Sequence, residues 1–171
     1  GIGAWDECPP NVNYHECVDE AQLLTEFIKY WRKEKFDIIT GWNVDSFDMT
    51  YLCNRVDKLF GEGEHKKFSP WNMSDVREYR NQYGKMDMTF TLYGINILDY
   101  LDLYRKHTFV NQESYKLDHI AHVELDKNKL DYSEYGSLHK LYQQNYSKYL
   151  EYNVKDVTLV EDLEDKLGLL E

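Results

Sequence analysis

The segment FDIITGWNVDSFDMTYLCNRV, residues 36–56, most narrows what this chain can fold into. It opens as a short apolar run, Phe36 to Trp42 with Ile38 and Ile39 adjacent, which fits a buried strand. It closes with Met49, Leu52, Cys53, Val56 and Leu59 or Phe60 at core-facing helical spacing, predicting a helix over 46–60 with Ser46 placed to cap it. A buried strand running straight into an amphipathic helix is an α/β corner. At that corner the chain sets an acid, Asp48, between Phe47 and Met49. A carboxylate in a first helical turn is favoured as the anion by about 0.3–1 kcal/mol, and often that is all such an acid does. An anion held there can also bind a cation.

The remaining patterns predict elements around this corner. Leu23, Leu24, Phe27, Ile28 and Trp31 recur at helical spacing behind Asp19, a natural N-cap, so a helix runs from there to about Lys33. Residues 86–92 alternate, Tyr93-Gly94 reads as a turn and 95–98 run back, predicting a hairpin and then a helix from about Tyr100. A short helix over 117–123, a polar excursion over 125–136 and a last helix over 143–167 complete the pass. GEGEHKKFSP, residues 61–70, reads as an exposed loop. Residues 1–18, with Pro9-Pro10, lack periodicity and read as a connecting segment ahead of a domain over 19–171. The opening GIGAWDECPP carries no initiator methionine and reads as the interior of a longer frame.

Composition excludes several classes. No apolar run approaches the length of a bilayer span and nothing resembles a signal peptide, so no membrane partner is expected. Cys8, Cys17 and Cys53 form no CxxC and no Cys/His ligand spacing, which fits a reducing compartment and argues against a structural zinc. The formal net charge of −11 works against a DNA-coating role, because nonspecific affinity comes mainly from cations displacing counterions. Lys66, Lys67, Arg77, Arg80 and Lys85 are the densest basic stretch, and for any one of them a solvated surface is the simpler reading. Weak binding of duplex DNA by this chain is therefore expected. An acidic protein can still act on nucleic acid when divalent ions bridge its carboxylates to phosphate.

A second pattern lies near the C-terminus. Tyr152-x-x-x-Asp156 puts a phenol and a carboxylate on one helical face, where the phenol could orient a water bound at the acid. An amphipathic helix with a snorkelling tyrosine and a solvated acid would produce the same letters.

Taken together, in this order, Asn43-x-x-x-Phe47-Asp48 and Tyr152-x-x-x-Asp156 resemble the second and third motifs of the proofreading 3′→5′ exonuclease of family-B DNA polymerases. FDIITGWNVDSFDMTYLCNRV, INILDYLDLYRKHTF, SYKLDHIAHVELDKNKL and YLEYNVKDVTLVEDL extend the likeness to polymerases of T-even-type tailed bacteriophages, from about Asp19 onward. The resemblance implies a ribonuclease-H-like exonuclease fold of α/β class. It implies two-metal hydrolysis of the 3′-terminal phosphodiester of single-stranded DNA by two Mg²⁺ or Mn²⁺ ions on four carboxylates. Asp48 and Asp156 would be two of those ligands, and hard oxygen donors suit such ions. Tyr152 would orient the water, and Asn43 and Phe47 would shape the pocket for the frayed primer end, with core packing an even alternative for Phe47. The 86–97 hairpin would be an inserted strand-separating element. The partners implied are a DNA primer end and the remainder of a polymerase chain, in the cytoplasm of an infected bacterium.

The family's first motif, an Asp-x-Glu on the opening strand, is missing. Asp162-Leu163-Glu164 lies beyond the third motif on the last helix, and Asp6-Glu7 and Asp19-Glu20 sit on no apolar strand, so none replaces it. The chain therefore reads as an exonuclease domain truncated at its N-terminus, inactive by itself. Two other readings stay open: a catalytically dead nucleic-acid-binding or structural module of a polymerase, and a free-standing ribonuclease-H-like exonuclease.

Overall fold

The computed structural model describes residues 1–80, 86–127, 130–131 and 133–170. They form two compact units, one of Val18–Leu103 and one of Gly1–Cys17 with Tyr104–Glu171.

In the Val18–Leu103 unit the order is α1 (Glu20–Glu34), β1 (Ile38–Gly41), a π-helical turn (Val44–Met49), α2 (Thr50–Phe60), a 3-10 turn (Glu64–Phe68), β2 (Ser74–Arg80), β3 (Met86–Leu92) and β4 (Asn96–Asp99). The expected first helix forms, with the Asp19 carboxylate accepting from the Gln22 N–H at 2.8 Å and satisfying one orphan donor of the first turn. It stops where Lys35 takes a left-handed conformation. Its buried face, Leu24, Ile28 and Trp31, joins Val44, Met49, Cys53, Val56, Phe68, Phe90 and Leu92 in one core. The Trp31 indole N–H reaches the Phe68 carbonyl at 2.7 Å, so the largest core side chain is also satisfied. Burial pushes the Cys53 thiol up to about 12, with the Asp57 charge adding to it, so at neutral pH the thiol stays protonated.

The strands pair differently from the expected hairpin. Residues 86–92 are a strand, but β3 lies antiparallel to β2, with Val76 opposite Phe90 and Glu78 opposite Met88. Residues 96–99, instead of folding back on β3, run parallel to β1, with Ile39 opposite Ile97 and Gly41 opposite Asp99. Gly94, at φ +88, makes the turn between them. Residues 81–85, Lys85 included, lie outside the described residues.

The stretch 61–70 is not a loop held in solvent. His65 and Phe68 are buried in its 3-10 turn. Asp57 Oδ1 accepts from the His65 N–H at 2.8 Å, its Oδ2 lies 2.7 Å from Nδ1 of the ring, and Nε2 lies 2.7 Å from the Ser74 hydroxyl. One imidazole thus links α2, the turn and the first residue of β2. Burial raises the Asp57 carboxyl, but the N–H and ring of His65 and the Gly63 N–H outweigh it and hold Asp57 below the usual carboxylate range. Leu59 or Phe60 was expected to face the core, and both stand exposed at the end of α2.

The other unit carries α4 (Leu117–Leu125), a 3-10 turn (Ser133–Tyr135), α5 (Leu138–Gln144) and α6 (Tyr146–Leu167), and α3 (Tyr100–His107) spans the boundary between the units. Residues 1–17 contain no helix, yet Trp5 and Cys17 are buried and Ile2 bridges to Cys17. The expected helix over 143–167 begins later, because Asn145 breaks it from α5 and its side chain caps α6, accepting from the Lys148 N–H at 3.0 Å. Residues 128, 129 and 132 of the polar excursion lie outside the described residues.

Candidate active site

The corner between β1 and α2 is built by an unusual turn. Asn43 adopts φ 63, a left-handed conformation that asparagine tolerates better than most residues. The chain then winds as a π-helix through residues 44–49. In an α-helix, residues five apart diverge by about 140°. π-winding, with its i→i+5 bonding, lets Val44 and Met49 share the buried face, at 6% and 3% exposure. Between these two anchors Phe47 is 66% exposed and Asp48 is exposed beside it. Core packing is thereby excluded for Phe47. The Ser46 hydroxyl does not cap α2, but donates to the Asn43 side-chain oxygen at 2.7 Å. Asn43 is thus engaged in holding the turn.

Two supports brace the corner. From below, the carboxylate of Asp99, at the end of β4, accepts from the N–H groups of Asn43 at 3.0 Å and Asp45 at 3.2 Å. From the side, the buried Thr89 hydroxyl on β3 donates to the Asp45 carboxylate at 2.5 Å, and Arg77 on β2 stands 3.5 Å from it. The Thr50 hydroxyl donates to the Asp45 carbonyl at 3.0 Å.

Electrostatically, the corner gathers negative charge. The Asp48 carboxyl is raised from its ordinary value by the protein packed around it, an effect opposed by its own backbone N–H and reinforced by the charge of Asp99. Asp99 is raised as well, first by burial, against the three N–H groups it accepts from. The helix start was expected to hold Asp48 as an anion, and here desolvation and a like charge outweigh it. Both of those penalties would be relieved by a cation.

The second motif stands on α6. Tyr152 is buried at 8% exposure, so it does not snorkel, and Asp156 is partly buried one turn further on. Tyr152 lines a cleft of ≈ 340 Å³ with Leu138, His139, Tyr142, Tyr149 and Asn153, all from α5 and α6. Asn43, Phe47 and Asp48 are therefore brought together in one unit, and Tyr152 and Asp156 in the other. Among the described residues, no three His, Cys, Asp or Glu side chains assemble a metal-holding group. No described helix is long and apolar enough to cross a membrane. Sequence reasoning missed Asp99. Its signal was an acid between the apolar run of β4 and the start of a helix, where its Oδ1 also accepts from the Leu101 N–H at 3.0 Å.

Residues 6–120 match the sequence profile of the family described as DNA polymerase family B, exonuclease domain. The chain is 42% identical over 148 residues to the DNA-directed DNA polymerase of Escherichia phage RB69, covering 86% of this chain and 16% of that protein. It is 36% identical over 170 residues to the DNA-directed DNA polymerase of Enterobacteria phage T4, covering 97% of this chain and 19% of that protein. The DNA polymerase catalytic subunit of human herpesvirus 6A is 32% identical over 130 residues, covering 72% of this chain and 13% of that protein. An α/β unit with an exposed carboxylate at its strand-to-helix corner, matched over this span, defines the class: this chain belongs to the family-B DNA polymerase exonuclease domains. It spans less than a fifth of the length of the curated relatives it matches. The profile match takes in Asn43, Phe47 and Asp48 and ends before α6, while the T4 match reaches across nearly all of the chain.

Proposed function

We propose that this chain is the 3′→5′ proofreading exonuclease portion of a DNA-directed DNA polymerase acting in the cytoplasm of an infected bacterium. Its substrate is the single-stranded 3′ end of a primer. The observation that carries this reading is the π-helical corner, which presents Phe47 and Asp48 side by side to solvent while Val44 and Met49 anchor them in the core. An exposed aromatic beside an exposed carboxylate suits a strand end: the ring stacks on a base, worth about 1–3 kcal/mol, and the acid stands near the phosphate. Asn43 shapes that pocket through the turn it holds.

Asp48 and Asp156 would hold divalent cations. The fit is one of donor chemistry: both offer hard oxygens, and Asp48 stands exposed at its corner. The described residues supply no complete ligand set, so no step is derived through the ions. When bound, such ions supply an activated water and charge stabilisation at the phosphate. Tyr152, one turn from Asp156, would orient that water by hydrogen bonding. With two of the four carboxylates that the resemblance implies, the chain by itself is inactive and depends on the rest of its polymerase.

The test is Mg²⁺-dependent removal of a mismatched 3′ nucleotide by the full-length polymerase. Asp48→Ala is expected to abolish trimming, with polymerisation measured alongside. Trimming at the wild-type rate in Asp48→Ala would overturn the reading.

A further inference from the structure

We infer that Asp99 is a positioning residue for the exonuclease site, acting through the backbone of residues 43–45; this rests on the exonuclease reading above. Asp99 is the last residue of β4 and pairs with Gly41 at the end of β1, directly beneath the corner. Its carboxylate spans the turn. Oδ1 takes the Asn43 N–H at 3.0 Å and Oδ2 takes the Asp45 N–H at 3.2 Å, while Leu101 donates to Oδ1 at 3.0 Å from the start of α3. The two corner amides flank Val44, whose side chain is buried, and they lie on either side of the transition from left-handed Asn43 into the π-turn. No regular backbone pairing is available to such N–H groups, so a carboxylate with two acceptor oxygens is what a turn of this shape needs.

The direction of Asp48 follows from this. The π-turn that carries Phe47 and Asp48 begins at Val44, and its starting direction is set by the two amides Asp99 holds. Thr89 and Arg77 grip the side chain of Asp45 but neither amide, so they do not replace Asp99. Releasing one amide leaves the fold's core intact and lets the corner turn. Outer residues that orient metal-binding carboxylates typically contribute 10–100-fold in affinity or activity.

The discriminating substitution is Asp99→Asn in the full-length polymerase. Asparagine keeps one oxygen for Asn43 and Leu101 but turns an N–H₂ toward the Asp45 N–H, placing donor against donor. The expected result is a fall of about 10–100-fold in kcat for excising a single-stranded 3′ end. KM for the DNA changes little, and the Mg²⁺ concentration for half-maximal rate rises. A second readout needs no metal: amide hydrogen exchange across residues 40–50 quickens in Asp99→Asn, while exchange in α1 stays as in the wild type. If Asp99→Asn trims at the wild-type rate while Asp48→Ala abolishes trimming, the inference is overturned and the exonuclease reading stands. If Asp48→Ala itself trims normally, both fall. Loss of trimming together with polymerisation and with exchange protection in α1 marks a global structural role and overturns the inference. Should Asp99→Asn unfold, Asp99→Glu keeps both acceptor oxygens one methylene further out and is expected to fall between Asn and wild type.

Discussion

Replacing His65 with phenylalanine tests whether the polar chain from Asp57 through His65 to Ser74 holds the Val18–Leu103 unit together. The substitution keeps an aromatic ring of similar size, so the edge contact with Phe90, now 4.8 Å between centroids at 63°, can persist. What it removes is two hydrogen bonds at a side chain that is 8% exposed. The bond to the Asp57 carboxylate is charge-assisted, in the range of about 1.5–3 kcal/mol, and the neutral bond to Ser74 contributes about 1 kcal/mol. Asp57 keeps the His65 backbone N–H at 2.8 Å, and its side chain is 23% exposed, so water recovers part of the loss. The net cost is about 2–4 kcal/mol, which with an m-value of about 2 kcal/mol per molar lowers a urea midpoint by roughly 1–2 M. Tryptophan fluorescence follows it, since Trp31 packs against Phe68 in the same core. The pH dependence supplies a second check. The folded Asp57 carboxyl lies below its ordinary value, so its contribution is complete above about pH 4 and is lost as pH falls through the lower folded value. Wild type therefore loses more stability on acidification in that window than His65→Phe does. A urea midpoint unchanged in His65→Phe, or an identical acid loss in both proteins, would refute the energetic role assigned to the chain.

Two further predictions concern the fold. Gly94→Ala places a Cβ 2.6 Å from Pro70 Cγ at φ +88, so it is expected to destabilise by more than the roughly 1–2 kcal/mol of the left-handed backbone alone, read as a lowered urea midpoint. Leu159→Ala empties a fully buried site on α6 and is expected to cost about 2–5 kcal/mol, read as a lowered midpoint by circular dichroism.

Elements that bury one face of their own sequence were readable in advance. The first helix announced itself through Asp19 and the Leu24, Ile28, Trp31 stripe; β1 forms where its paired isoleucines put it, but not as the buried strand they suggested, since Ile38 is 50% exposed. The β2 strand did not, because SDVREYR carries no alternating apolar face. It is held by its ladder to β3, and a ladder partner leaves no mark in a strand's own letters. The same blindness produced the wrong hairpin. Tyr93-Gly94 is a true turn, but whether the next strand folds back or continues to β1 is decided by a partner more than fifty residues earlier. Local turn chemistry is compatible with either outcome. In residues 61–70 six charged or glycine positions masked His65 and Phe68, which are buried by contacts outside that stretch.

The site divides along a similar line. Asp48 stood out because Met49 beside it belongs to the core, whereas for Phe47 the letters left core packing an even alternative, which its 66% exposure removes. The π-turn that makes this possible was not legible, since a single residue of extra winding does not alter the spacing of α2 beyond Met49. Asp99 was hidden for a deeper reason. Nothing in NILDYL says which amides its carboxylate will meet; only the parallel register of β4 on β1 brings it under Asn43 and Asp45. An acid that binds a substrate or a metal is constrained by its own neighbours in sequence, whereas an acid that aims another acid is constrained by topology. The second kind is therefore found only once the strands are paired. At this corner Asp99 is the residue whose two acceptor oxygens hold the start of the turn that presents Asp48 to solvent.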